Sequence, residues 1–206
     1  VFDPLDGSSL VDVNFAVGSI FGIYPAGNPV GKKGSMQLAA GFVVYGPRTT
    51  LILCPGRSLG VHEFLMNEDG QFYLSKENLR VTDPAKYFAP GNLRACRERD
   101  DYKKLLDYWV SNGYTLRYSG GMVPDMNHIF LKGNGIFTYP PYSETPEGKL
   151  RMLYECAPMA FLMEEAGGAA TDGKINILEK TLSSLHQRTP IYIGSKAEVK
   201  RAEAML

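Results

Sequence analysis

The first residues that could do chemistry are two carboxylates, Asp3 and Asp6, in the run Val1-Phe2-Asp3-Pro4-Leu5-Asp6-Gly7-Ser8-Ser9. Pro4 fixes one backbone angle between them. Gly7 lets backbone N–H groups turn toward a bound group, and two hydroxyls follow at Ser8 and Ser9. Carboxylate oxygens suit a hard cation such as Mg²⁺, while amides and hydroxyls suit phosphate oxygens. Metal beside phosphate is what metal-assisted phosphoryl chemistry requires. The competing reading is an Asx-type turn, with both aspartates bonding only nearby backbone. A third carboxylate, Glu155, interrupts an otherwise apolar run, where a lone buried charge is costly unless it pairs or binds a metal. Pro158 cannot donate to the carbonyl of Tyr154, which predicts a kink beside Glu155.

Elements must hold these groups, and the composition allows them. The chain has 206 residues, 44% of them hydrophobic and 11% aromatic, enough to bury a real core. Lysine plus arginine and aspartate plus glutamate both number 22, so no charge excess points to nucleic acid or a membrane surface. No apolar run reaches the roughly 18 residues of a spanning helix, and no signal peptide opens the chain. Cys54, Cys96 and Cys156 are odd in number and far apart, which argues against a disulfide framework and for a reducing compartment. The absent initiator Met predicts a fragment lacking its N-terminal part.

The apolar pattern predicts a long strand over Val13 to Tyr24, buried on both sides. Gly31-Lys32-Lys33-Gly34 lacks P-loop spacing and is expected to be a solvated loop. Ser35 is placed as the N-cap of a small-residue helix over Met36 to Tyr45, weakened by Gly41. Strands are predicted over Thr49 to Leu53 and Val61 to Met66, with a hairpin turn at Asp69-Gly70 leading into Phe72 to Leu74. The punctuation between Asp83 and Asn92 suggests a boundary, dividing the chain into residues 1–85 and 86–206. An amphipathic helix is expected over Asp100 to Ser111, a short strand over Tyr114 to Tyr118 and a helix over Val123 to Leu131. Ile136 to Tyr139 and Ile191 to Gly194 are strands. Gly148 to Ala166 gives the longest helical pattern, apolar nearly all round and therefore buried, and Lys196 to Leu206 a terminal helix. Interleaved helices and strands define an α/β class with mixed sheets.

Three stretches carry a family resemblance. They are D-P-L-D-G-S-S from Asp3 to Ser9, with Val11-Asp12-Val13-Asn14 and Gly18 to Tyr24 behind it; L-R-Y-S-G-G-M-V-P-D from Leu116 to Asp125; and G-K-L-R-M-L-Y-E-C-A-P from Gly148 to Pro158. Together they resemble class I fructose-1,6-bisphosphatase and, more broadly, the lithium-sensitive sugar and inositol phosphatases. The resemblance runs from Val1 to about Gly194. It implies a layered α-β-α-β-α architecture with mixed sheets, whose first helices precede this chain. It implies two or three Mg²⁺ ions, with Mn²⁺ or Zn²⁺ as substitutes, held by Asp3, the Leu5 carbonyl, Asp6 and Glu155, with Asp6 also catalytic. Gly7, Ser8 and Ser9 would hold the departing phosphate. Tyr118, Tyr139 and Lys149 match residues that bind the retained phosphate and the sugar, with Met122 contributing backbone. Arg117 matches an arginine that reaches the retained phosphate of a neighbouring subunit.

Phe88-Ala89-Pro90-Gly91-Asn92-Leu93-Arg94-Ala95, Tyr45-Gly46-Pro47-Arg48-Thr49-Thr50 and the Gly-Gly-Met-Val-Pro-Asp run look more like sedoheptulose-1,7-bisphosphatase, whereas Tyr139 and the Tyr-Glu-Cys run resemble the fructose enzyme. Where the fructose enzyme usually offers Asn and Tyr to the retained phosphate, this chain has Gly91 and Arg94, and Arg94 could bind it bidentately. The expected activity is Mg²⁺-dependent hydrolysis of the 1-phosphate of a sugar bisphosphate, fructose ahead of sedoheptulose, in gluconeogenesis or the Calvin cycle. The family's other acidic ligands and water-activating carboxylates lie upstream, so the isolated fragment is expected to be inactive. The full-length protein is expected to be a homodimer or homotetramer in the cytoplasm, or in the plastid stroma of a photosynthetic source. Taken singly, Tyr139, Lys149 and the Arg117–Tyr118 pair could be ordinary strand-end, solvated and alternating residues. His62, His128 and His186 show no zinc spacing, and no G-x-S-x-G elbow surrounds Ser8 or Ser9. The rival readings are an inositol-phosphatase-like monoesterase and a non-catalytic sugar-phosphate-binding module.

Overall fold

A computed structural model describes residues 1–206. β1 (Phe2–Asp6), β2 (Val17–Ile23), β3 (Ala39–Tyr45), β4 (Thr49–Cys54), β5 (His62–Met66) and β6 (Phe72–Lys76) form one antiparallel meander in sequence order. A second, mixed sheet takes β7 (Tyr87–Pro90). Helix α1 (Asp100–Ser111), the two-residue β8 (Thr115–Leu116), helix α2 (Met122–Lys132) and β9 (Ile136–Tyr139) follow. Then come β10 (Leu150–Arg151), helix α3 (Ala157–Glu165), β11 (Ala169–Thr171), β12 (Arg188–Thr189), β13 (Ile191–Gly194) and helix α4 (Lys196–Met205). The second sheet runs β11-β13-β9-β7-β8, parallel only at β9-β7-β8, and β10 pairs with β12 in a separate ribbon.

Helices α2 and α3 pack between the two sheets, and α1 and α4 cover the far face of the second. The layers are therefore sheet, helices, sheet, helices. Phe161, Leu162, Met159 and Met163 of α3 are fully buried in the central layer, against Phe42 and Ile52 of the first sheet and Ile191 and Ile193 of the second. Trp109 of α1 donates its indole N–H to Glu198 at 2.7 Å and Tyr114 donates its hydroxyl at 2.9 Å, so this buried carboxylate is satisfied.

Four sequence expectations are corrected. The helix expected over Met36 to Tyr45 is instead the end of a 3₁₀ turn at Met36 and the strand Ala39–Tyr45: Ala39 to Phe42 are buried on both faces, which erases the two-residue period that marks a strand. The strand expected from Val13 begins at Val17. Val11 to Asn14 turn, Phe15 is 59% exposed, and the inner face is Gly18, Ile20 and Gly22 alone. Gly148 to Ala166 is not one helix but the two-residue strand β10, one π-helical turn over Met152–Cys156 and then α3. Tyr114 to Tyr118 pairs only at Thr115–Leu116. The helices over 100–111 and 122–132 and the strands over 136–139 and 191–194 lie where the pattern predicts.

Candidate active site

Residues three apart on a regular strand point to opposite faces. On β1, however, Asp3 pairs with Ile20 and Asp6 with Gly18, so three steps on β1 span two on β2. This one-residue bulge turns both aspartates to the same side. Pro4 has no N–H for the ladder and sits inside the bulge, its carbonyl accepting from Ser19 Oγ at 2.7 Å. The Leu5 N–H donates to Asp3 Oδ1 at 3.1 Å, so the Asx turn is real at Asp3 and coexists with the bulge.

Asp6 is only 6% exposed, and its Oδ2 accepts from the Val123 N–H at the start of α2 at 2.8 Å. Gly18 makes that approach feasible. A Cβ there would stand 2.4 Å from Val123 Cγ1 and 2.3 Å from the Val43 carbonyl oxygen. Beyond Asp6 the chain turns through Gly7 at φ 79°, a left-handed conformation that disfavours any side chain, into a 3₁₀ turn over Ser8–Leu10.

Glu155 arrives from 149 residues further on in the sequence. It lies in the π-helical turn immediately before α3, with Pro158 just beyond. The missing proline N–H removes one α-helical bond at this point, consistent with the local widening. Glu155 Oε2 accepts from the Arg151 N–H at 2.6 Å, which folds the carboxylate back over the start of its own turn.

Asp3, Asp6 and Glu155 each offer a carboxylate oxygen, and those oxygens lie within 4.8 Å of one another. Burial is the main force raising Glu155 to about 7, with the charges of Asp6 and Asp3 adding to it and the Arg151 N–H opposing it. Asp6 is raised to about 6, again chiefly by burial, against the Val123 N–H. Three mutually repelling carboxylates in a half-closed pocket bind protons or a cation far better than they bear their own charge. An all-oxygen donor set fits a hard divalent ion such as Mg²⁺ better than a site built for softer metals.

These carboxylates form one end of a cavity of ≈ 280 Å³. Leu5, Gly7, Ser8, Ser9, Tyr118, Met122, Tyr139 and Lys149 line it with them, so the structure brings eleven of the thirteen sequence-predicted residues together. The Lys149 ammonium stands over the Tyr139 ring, 5.9 Å from its centroid, and its charge lowers the Asp6 pKa. The Tyr118 hydroxyl is raised to about 12, first by burial and then by the neighbouring Tyr139 phenol.

The other two predicted residues stand apart. Arg94 is exposed and stacks on Tyr142, 5.7 Å from the ring centroid. Arg117 is exposed and donates to the carbonyl of Leu116 at 2.8 Å. Neither lines the cavity. The departure at Gly91 has a packing cause, since a Cβ there would lie 2.5 Å from the Tyr139 ring.

Sequence reasoning missed Gly120, Gly121, Phe137 and Leu150 as lining residues, and Asp125 behind them. Asp125 is buried and accepts from the Ser119 N–H at 2.8 Å, holding the bend that carries Tyr118 and Met122. Burial, the largest cause, raises its carboxyl to about 7. An acidic residue in the first turn of a helix that opens at a Gly-Gly pair was the available signal.

Comparison with known proteins agrees with this geometry. The profile for the fructose-1-6-bisphosphatase N-terminal domain matches residues 1–77, and that for the C-terminal domain matches residues 81–206. A chloroplastic sedoheptulose-1,7-bisphosphatase from Triticum aestivum is 48% identical over 205 residues, covering 100% of this chain and 52% of the wheat protein. A class 1 fructose-1,6-bisphosphatase from Geobacter metallireducens is 50% identical over 201 residues, 98% of this chain and 63% of that protein. The chain thus spans between half and two thirds of the length of these relatives. Leishmania major fructose-1,6-bisphosphatase in its holo form superposes with a TM-score of 0.91 at 36% identity, over 99% of this chain and 67% of that one. With both profiles matched along almost its whole length, this chain belongs to the fructose-1,6-bisphosphatase family.

Proposed function

We propose that the cavity belongs to a phosphatase that removes the 1-phosphate of a sugar bisphosphate, with fructose 1,6-bisphosphate as the first substrate. The observation that carries this reading is the convergence of Asp3, Asp6 and Glu155 within 4.8 Å, in a cavity that also holds Lys149 and two tyrosines. A monoesterase needs the acidic end alone; a bisphosphatase needs a second anion site across the sugar.

Asp3, Asp6 and Glu155, with the Leu5 carbonyl, would hold divalent metal, Mg²⁺ first. The chemistry such an ion would supply there is neutralisation of phosphoryl oxygens and a lowered pKa for the attacking water. Gly7, Ser8 and Ser9 present the N–H groups and hydroxyls of a turn to the departing phosphate. Lys149, Tyr118 and Tyr139 take the retained phosphate and press the sugar toward the carboxylates, while the tyrosine rings exclude water from the middle of the cavity. Asp6 accepts the Val123 N–H, which fixes it against the start of α2 and stops it from swinging away as charge builds on the substrate. In this reading residues 1–85 supply most of the metal half and residues 86–206 the sugar-phosphate half, with Glu155 crossing between them. Arg117, exposed and outside its own cavity, fits the neighbouring site of a homo-oligomer.

Sedoheptulose 1,7-bisphosphate is the second reading. It is favoured by the wheat relative and by Gly91 and Arg94, which leave the sugar end of the cavity without an Asn–Tyr pair. The test is phosphate release by the full-length protein, with and without Mg²⁺, from fructose 1,6-bisphosphate, sedoheptulose 1,7-bisphosphate and inositol monophosphate. Loss of phosphate from C1 of either ketose bisphosphate, with inositol monophosphate left intact, is the expected result. Preferential hydrolysis of the inositol ester would overturn the reading.

A further inference from the structure

We propose that Gly91 is a specificity-determining residue. Lacking a Cβ, it lets the Tyr139 ring lie back from the sugar end of the active-site cavity, and the room so left admits a seven-carbon ketose bisphosphate as well as a six-carbon one. This inference rests on the sugar-bisphosphatase reading above and deepens it. Tyr139 lines the cavity and Gly91 does not. A Cβ at Gly91 would stand 2.5 Å from Tyr139 Cδ2 and 3.0 Å from Cε2, so the ring edge lies directly on the glycine and separates it from the cavity.

The backbone at this position does not itself call for glycine. Gly91 directly follows β7, and its φ lies outside the left-handed range that disfavours a side chain. Glycine in such a place marks a close approach. What approaches is the Tyr139 ring, together with the Thr138 carbonyl, 2.8 Å from the same Cβ position.

Of these two neighbours the ring yields the more easily. The Gly91 N–H donates to the Thr138 carbonyl at 2.8 Å. Tyr102, fully buried in α1, donates its hydroxyl to the Gly91 carbonyl at 3.1 Å and pairs with Thr138 Oγ1 at 2.8 Å. Asn92 Nδ2 donates to the Pro140 carbonyl at 3.1 Å, so the two segments are tied together on both sides of Tyr139. The Tyr139 side chain is only half-buried, with the cavity and the Lys149 ammonium beside it. A side chain at position 91 is therefore accommodated by moving the ring into the cavity, which narrows the sugar end. In a fitted pocket one methylene more or less is worth about tenfold or more in discrimination.

The test is steady-state hydrolysis of fructose 1,6-bisphosphate and sedoheptulose 1,7-bisphosphate by the full-length protein, read as the ratio of the two kcat/KM values. The unsubstituted protein should cleave both. Gly91→Ala should lower the sedoheptulose-to-fructose ratio about tenfold, carried by KM for the longer sugar rather than by kcat, because the carboxylates are untouched. The new Cβ also presses on the Thr138 carbonyl, so Tyr139→Trp serves where Gly91→Ala does not fold. Tyr139→Trp leaves the backbone at Gly91 alone and loses the phenol for both esters alike, yet its larger ring should move the ratio in the same direction. Phosphate released from neither ester by the unsubstituted protein would overturn the functional reading and this inference with it. Release from the fructose ester alone, or a ratio unchanged in the variant that folds, would overturn the inference and leave that reading standing.

Discussion

The two ends of the active-site cavity are built in opposite ways. At the acidic end, Asp6 and Glu155 are buried, each is tied to a backbone N–H, and each is raised far above an ordinary carboxyl by its surroundings. At the other end, Tyr118 is 43% exposed, Lys149 reaches in over Tyr139, and Arg94, expected there, stands outside against Tyr142. The acidic end stores electrostatic strain that only a cation or protons relieve. The basic end is a solvated rim that costs little to keep open. On the proposed function, chemistry belongs to the first and selection of substrate to the second, and substitutions should separate the two.

Asp6→Asn should have the largest effect. It removes one of three converging charges while the Val123 N–H keeps its acceptor, so the full-length enzyme should lose at least ~10²-fold in kcat with KM changed little. A kcat near wild type in steady-state assays would break the contrast at its stronger side.

The pH dependence of stability is next. Folded Asp6 and Glu155 hold protons up to about 6 and about 7, above their ordinary 3.8 and 4.5. The stabilisation from their protonation is present at acid pH and is lost as pH rises through about 6 to 7. A tenfold change in proton affinity is worth ~1.4 kcal/mol, so the metal-free protein carries a cost on the order of a few kcal/mol at pH 8. Mg²⁺ should therefore raise Tm more at pH 8 than at pH 5. Equal Mg²⁺ effects on Tm at the two pH values in scanning calorimetry would contradict this.

Lys149→Ala should act on the other end. Losing a charge-assisted contact to the retained phosphate should raise KM by ~10- to 100-fold and leave most of kcat. A loss confined to kcat would move Lys149 into the chemical half of the site. The smallest effect is expected for Arg94→Ala. Outside the cavity and stacked on Tyr142, it should change KM less than about threefold; a larger rise would show that the rim closes over the substrate.

The same contrast governs how much can be seen in the sequence. Asp3 and Asp6 are legible as a motif, and Glu155 as a carboxylate in an apolar run, because burying unpaired charge is costly enough to leave a mark in composition. The bulge that turns Asp3 and Asp6 to one side is not legible, since register on β1 is set by partners on β2 that lie well beyond the motif, Ile20 for Asp3 and Gly18 for Asp6. The strand at Ala39 to Tyr45 reads as a helix because a strand between two neighbours, covered on both faces, loses its alternation. The Gly148 to Ala166 segment reads as one helix because apolar residues all round give no phase. Pro158 marks the break there, but nothing marks the strand and π-helical turn that precede it. Helix α1 is legible to the residue. It is amphipathic, with Tyr102, Leu105 and Trp109 inward, and it is closed by Asn112-Gly113.

The most direct test of the account is the affinity of the acidic end for a divalent ion, read by titrating the metal-free full-length protein with Mn²⁺ and following free Mn²⁺ by electron paramagnetic resonance. The account predicts saturable binding that competes with Mg²⁺, weakens below pH 6 as Asp6 and Glu155 take up protons, and loses at least one site in both Asp6→Asn and Glu155→Gln. Unchanged Mn²⁺ binding in those two variants would mean that the three carboxylates converge without holding a metal, and the proposed chemistry would fall with them.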